Sequence, residues 1–193
     1  LFFSLSKTLD FSENSLFIDG KVFFDELVDV FIPDVVDEIA SRAFINVDYV
    51  RSLDTGSGCK IIGDDAFRNC YYLEKVTIGK SIKTIGNNAF YRNRALVTVI
   101  MRTKLENGSV GEKAFWKYNR KADGSLEKGS KEFKNLFFEG TKAEWEKVAK
   151  KFEEYGYNDD LLNHALISFY SEKQPTTVGS YWRYNAEGKP ALW

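Results

Sequence analysis

Ile39, Ile62 and Ile85 each open the same phrase, 23 residues apart, and no other feature of the chain constrains its fold as tightly. Ala43-Phe44, Ala66-Phe67 and Ala89-Phe90 follow at one offset. Val50, Leu73 and Leu96 come next, then Leu53, Val76 and Val99. A fixed period in this range marks a solenoid, in which each unit is one supersecondary element that buries its apolar face only by stacking on its neighbours. The phrase reads Ile, any three, Ala-Phe, any five, Leu or Val, any two, Val or Leu, any one, apolar.

A fourth copy opens at Val110, with Ala114-Phe115 in place, after a two-residue insertion around Leu105 to Ser109. A longer insertion, Asn119 to Glu132, is rich in Lys, Gly and Ser, and the phrase resumes as Phe133, Leu136 and Phe138. Upstream, Leu27, Val30 and Ile32 read as the tail of an incomplete first unit. Thr55 puts a hydroxyl where the pattern wants an apolar residue and is expected to weaken its unit. Within a unit, Leu73-Glu-Lys-Val76-Thr-Ile78 ends in alternation with β-branched residues and predicts a strand. Gly63 to Cys70, carrying Ala66 and Phe67, predicts a short helix. Short apolar pieces, Val35-Val36, Lys60-Ile61 and Ser81-Ile82, are expected along the convex side. Five strands about 4.8 Å apart would make a narrow, curved parallel sheet. Cys59 and Cys70 fall at apolar positions of the repeat and read as free buried thiols.

The text changes at Gly140. Thr141-Lys-Ala-Glu144 is a capping box, so a helix starts there. Trp145, Val148, Ala149 and Phe152 give it one apolar stripe. Ala165 to Tyr170 predicts a strand, and Tyr181 to Asn185 can pair with Pro190 to Trp193 across Ala186-Glu187-Gly188. A solenoid exposes its core at each end unless capped. The expected organisation is therefore an N-terminal cap over 1–26, a repeat solenoid over 27–140 and a helix-and-strand cap over 141–193. The fold class is an α/β solenoid with about 23-residue units and a parallel strand ladder.

Ile62-Gly63-Asp-Asp-Ala66-Phe67-Arg-Asn-Cys70-Tyr-Tyr-Leu73-Glu-Lys-Val76-Thr-Ile78 resembles the repeat of the BspA-like leucine-rich repeat family, and Ser81 to Phe90 is similar to its next unit. The closing segment also resembles that of such proteins at Glu139-Gly140-Thr141, Glu144-Trp145, Phe169 to Glu172, Gln174-Pro175, Tyr181-Trp182, Pro190 and Trp193. The resemblance implies a secreted or surface-attached bacterial protein used in adhesion or protein binding, and it carries no catalytic residue over. The chain departs from the family pattern at Val47, Asn93, Thr55 and the insertion Asn119 to Glu132.

Charge and chemistry narrow the alternatives. The chain has 27 Lys and Arg against 28 Asp and Glu, without the basic surplus usual in nucleic-acid binders. The densest basic stretch, Lys147 to Lys151, sits on the expected helix among acids and reads as a solvated face. No apolar run is long enough to span a bilayer. No signal peptide is legible, and the opening residue Leu1 leads us to expect an excerpt or a processed form. His164 is the one histidine, with no nucleophile or third group near it in sequence. Too few His and Cys are present for a zinc site, no phosphate loop is legible, and no cofactor is expected. We therefore expect no enzyme.

The residues flanking the second apolar strand position should leave the concave face in two rows. The first is Asp29, Ser52, Lys75, Thr98 and Asn135; the second is Phe31, Asp54, Thr77, Ile100 and Phe137. Apolar side chains where solvent should be mark interaction sites. Phe31, Asp54, Lys75, Thr77, Thr98, Ile100, Asn135 and Phe137 are the expected contacts to a protein partner, host extracellular or bacterial. A competing reading has the insertion or the C-terminal cap folding over Ile100 and Phe137. Two further readings are a spacer in a longer surface protein and a glycan stacked on Trp182, Tyr184 and Trp193, residues that otherwise serve as cap core.

Overall fold

The computed structural model describes residues 8–9, 27–106, 108–117, 125, 131–154, 158–177 and 179–193. In chain order the strands of the repeats are β1 (Thr8–Leu9), β2 (Val28–Phe31), β3 (Glu38–Ile39), β4 (Val50–Asp54), β5 (Ile61–Ile62), β6 (Lys75–Ile78), β7 (Thr84–Ile85), β8 (Thr98–Met101), β9 (Ser109–Val110) and β10 (Asn135–Phe138). Then come helix α1 (Lys142–Glu153), helix α2 (Asp159–His164) and strands β11 (Leu166–Tyr170), β12 (Tyr181–Tyr184) and β13 (Pro190–Leu192). The long strands form an eight-stranded sheet ordered β13-β12-β11-β10-β8-β6-β4-β2, parallel throughout except for the β12–β13 hairpin. The two-residue strands form a second, five-stranded parallel sheet, β1-β3-β5-β7-β9. The two strand ladders and few helices make the α/β solenoid that the 23-residue period predicts. Apart from β1, the expected N-terminal cap lies outside the described residues, as does most of the insertion Asn119 to Glu132.

The register follows the period residue by residue. Ser52 pairs with Lys75, Lys75 with Thr98, and Thr98 with Asn135 across the long insertion. Thr84 pairs with Ser109, so the two-residue insertion is absorbed before β9. Lys117, buried, donates to the carbonyls of Leu96 and Lys131 and lies over the Phe133 ring, which pins both ends of the longer insertion. At the first unit the pairing slips by one, and Val28 rather than Leu27 faces Val50.

The segment expected as a short helix is a run of turns in each unit (41–46, 64–69 and 87–92). Its backbone enters the left-handed region at Arg42 and Asn46, at Asp65 and Asn69, and at Asn88 and Arg92, which no helix tolerates. Amides alternate between partners. Ala66 and Arg68 donate within their own unit, to Gly63 and Asp65. Phe44, Phe67 and Phe90 donate across units, to the carbonyls of Ala66, Ala89 and Ala114 at 2.7, 2.8 and 2.7 Å. A helix would consume those amides internally; here they stitch the solenoid. The Ile-Gly pair has its reason in the same approach: a Cβ at Gly63 or Gly86 would lie 2.4 or 2.5 Å from the backbone nitrogen of Ser41 or Asp64.

The core is a column of rings. Phe44, Phe67, Phe90 and Phe115 stack with centroids 4.8, 5.5 and 5.0 Å apart. Phe152 of α1 continues the column, 5.6 Å from Phe115, and brings Trp145 and Val148 over the last unit. Asn158 completes the closure. Its Oδ1 accepts from Phe115 N–H at 3.1 Å, the place that the next unit's carbonyl would take, and its Nδ2 donates to Gly111 and Phe152 carbonyls. The expected weakness at Thr55 is absent: the hydroxyl is buried and its Oγ1 accepts from Gly79 N–H at 2.8 Å. Asn93 likewise accepts from Cys70 N–H at 2.8 Å. Cys59 and Cys70 are free and buried, and burial pushes their thiols up to about 11 and about 12, so neither is a nucleophile at neutral pH.

Phe67 touches a ring on either side and is 0% exposed. Phe67→Ala is expected to cost about 3–5 kcal/mol in urea unfolding. Tyr72→Ala, at a residue 55% exposed, is expected to stay within about 0.5 kcal/mol of the parent.

Candidate functional site

In a strand, residues i and i+2 share a face, so residues packed inside the solenoid alternate with residues facing out. Leu53, Val76, Val99 and Leu136 point in and are buried. The two expected rows point out, in register, on β2, β4, β6, β8 and β10. The structure brings each row together but treats the two differently.

The first row is open. Asp29 and Lys75 are exposed, and Ser52, Thr98 and Asn135 are half-buried. Asp29 accepts from Arg51 Nη2 at 2.6 Å and from Ser52 Oγ at 2.7 Å, and these bonds hold its carboxyl below the usual range while raising the guanidinium. Lys75 stands on the next strand.

The second row is open at one end and closed at the other. Phe31 is 58% exposed, and Asp54 is half-buried. Thr77, Ile100 and Phe137 are not surface contacts: they are 3, 3 and 9% exposed. For Ile100 and Phe137 the cause is the chain's own C-terminal segment. β11 adds to β10 with Ser168 opposite Phe137, and β12 adds to β11 with Trp182 opposite Tyr170. The small Ser168 leaves room for the Trp182 indole to reach across to Phe137, with ring centroids 5.6 Å apart. Its Nε1 donates to the Phe138 carbonyl at 3.0 Å. Ile100, Phe137 and Trp182, with Tyr170 and Tyr184 packed against them, form a second small core on the outward face.

Those contacts also account for the aromatics considered for sugar stacking. Trp182 is 0% exposed and offers no face. Tyr184 is half-buried; its hydroxyl donates to Glu139 Oε2 at 2.9 Å and accepts from Arg102 Nε at 3.1 Å. Burial, reinforced by Glu139, pushes that phenol up to about 12. Trp193 is 40% exposed, but Arg183 lies 4.4 Å from its ring centre and its Nε1 donates to Ser171. The three rings do not form one platform.

Arg102 therefore sits between the closed end of the face and the strand ends. It stacks near Tyr184 and lies 3.9 Å from Asp54 and 3.8 Å from Glu139. Nearby, Lys104 Nζ donates to Glu144 Oε1 at 2.6 Å. With the Thr141 N-cap bonds, that contact lowers the Glu144 carboxyl to about 2 and raises the lysine. His164 ends α2, exposed. Among the described residues no group of three or more His, Cys, Asp or Glu could hold a metal, and no helix is long and apolar enough to cross a membrane.

Against known families, a model described as a BspA type leucine-rich repeat region matches residues 17–144 in six copies, starting ahead of Leu27. No curated protein matches the chain, and no solved structure does.

Removing the lid indole tests the closed end of the face. Trp182→Ala is expected to cost about 3–5 kcal/mol in urea unfolding and to raise the binding of an apolar dye as Ile100 and Phe137 are uncovered. Trp193→Ala, at a half-exposed ring, is expected to change stability by about 1 kcal/mol or less and to leave dye binding unchanged.

Proposed function

The chain belongs to the BspA-type leucine-rich repeat family, and from that premise we propose that it is a protein-recognition module of a bacterial cell surface. The family is typically one of non-catalytic surface repeats for protein interaction. The observation that carries the reading is the open part of the outward face: an in-register row, Asp29 to Asn135, beside the exposed ring of Phe31. An exposed aromatic next to a rigid polar row is the anchor-and-rim arrangement of protein interfaces. Asp54, Lys75, Thr98 and Asn135 supply the rim, and the scaffold holds them without further ordering on binding. Docking on this face is the mechanism, with adhesion to a host extracellular or bacterial surface protein as the role and the outside of the cell as the setting.

A spacer role within a longer surface protein draws on a different observation. The Ile100 and Phe137 end of the second row is sealed by Trp182, as in a module whose face is not for use. The double variant Phe31→Ser/Lys75→Glu separates the readings. Captures from extracellular-matrix and bacterial-surface protein preparations, with the melting temperature of each variant, are compared with Tyr72→Ser. Recognition predicts a retained protein whose affinity falls at least about tenfold in the face variant, at unchanged melting temperature. A spacer predicts the same captures, or none, from all three proteins.

A further inference from the structure

The outward face carries a small core of its own. Ile100, Phe137 and Trp182, with Tyr170 and Tyr184 against them, form a cluster separate from the core that holds the solenoid together. The β12–β13 hairpin covers that end of the face, yet Trp182 is the one side chain of its two strands that is fully buried; the others are half-buried or exposed. The solenoid does not need the hairpin for its closure, since Phe152 and Asn158 already supply a neighbour for the last ring and an acceptor for the last turn. β11 is different, because Ile167 and Phe169 pack on the main core.

The attachment of the hairpin is narrow. β12 pairs with β11 at two positions, Phe169 with Tyr181 and Tyr170 with Trp182, whereas β11 pairs with β10 at four. Side chains latch it to the solenoid: Trp182 Nε1 donates to the Phe138 carbonyl at 3.0 Å, and the Tyr184 hydroxyl donates to Glu139 at 2.9 Å and accepts from Arg102 at 3.1 Å. The closed position also carries a cost. Ser168, opposite Phe137, is 1% exposed, and its Oγ has no hydrogen-bond partner among the described residues. A buried hydroxyl left unpaired is destabilising, and contact with water relieves it. The connection from β11 to β12 is exposed at Glu172, Lys173 and Gln174, so movement of the hairpin disturbs no packing there. A lone pair of strands is barely stable in water, so a hairpin that leaves β11 also gives up its own backbone bonds.

We propose that the β12–β13 hairpin is a detachable lid, which opens as a unit while the solenoid and β11 stay folded. Opening uncovers Ile100 and Phe137, which stand in register on the same row as Phe31, and hydrates Ser168. The open form is a minor state of the free protein, drawn from the low-stability end of the fold. Its consequence for recognition rests on the reading of the outward face given above: the hairpin is then an autoinhibitory contact that a protein docking along the whole row displaces. The opening itself does not rest on that reading.

Native-state hydrogen exchange of the full chain in low urea, with no partner present, reads the opening directly. The Ser171 and Trp193 amides, which donate to the Trp182 and Tyr181 carbonyls, report the lid; the Leu166 amide, which donates to Lys134, and the amides of β6 report the solenoid. The lid amides are expected to exchange at least about tenfold faster than the others and to depend less on urea. Tyr184→Phe, which keeps the ring and loses the bond to Glu139, is expected to speed their exchange about tenfold. Ser168→Ala, which removes the unpaired hydroxyl, is expected to slow it about fivefold. Ile62→Val, in the solenoid core, is expected to speed exchange in β6 by about threefold or more and to leave the lid amides unchanged. The proposal is overturned if lid and β6 amides exchange in one global event, with Ile62→Val speeding both alike. It is also overturned if Tyr184→Phe and Ser168→Ala both leave the exchange of the lid unchanged.

Discussion

The bond on which this structure depends runs from one unit's turn to the next, amide to carbonyl, at Phe44, Phe67 and Phe90. It sets a single spacing for the solenoid. Parallel strands lie about 4.8 Å apart, and the phenylalanine rings of the column repeat at 4.8 to 5.5 Å. Sheet, turn and ring therefore advance together, and a unit that misses the spacing loses backbone bonds and core contacts at once. The glycines after Ile62 and Ile85 follow, since a Cβ at either meets the neighbouring backbone. So does the form of the C-terminal closure. The last turn still needs an acceptor and the last ring still needs a neighbour, and Asn158 and Phe152 supply them.

The strand ladder was legible because the period states which residue lies beside which. Once Leu53, Val76 and Val99 were in line, the two outward rows followed from alternation, and both formed in the expected register. The path of the turns was not legible. An Ala-Phe pair in a short segment suits a helix locally; what decides otherwise is the neighbouring unit's demand for alternate amides, met through positive φ at residues such as Asn69 and Arg92. Thr55 read as a flaw because its acceptor role exists only once Gly79 is stacked beside it. The burial of Ile100 and Phe137 needed Trp182, far along the chain, and the signal available was the small Ser168 beneath it.

Together these contacts divide the surface of a uniform scaffold. The C-terminal part of the outward face is closed by the chain's own hairpin, and Arg102 and Tyr184 join that lid to the strand ends. The N-terminal part stays open and carries Phe31 and the polar row. What distinguishes one region from another is thus set by departures from the repeat, with the repeat supplying the rigidity that lets them recognise something.

Hydrogen exchange at the turn amides tests the central claim, that the units are stitched through their turns, most directly. The account predicts that Phe44, Phe67 and Phe90 amides are protected to the same degree as those of β6 and are released with them in one global unfolding event. Exchange of these three amides at loop rates, while β6 remains protected, would contradict it.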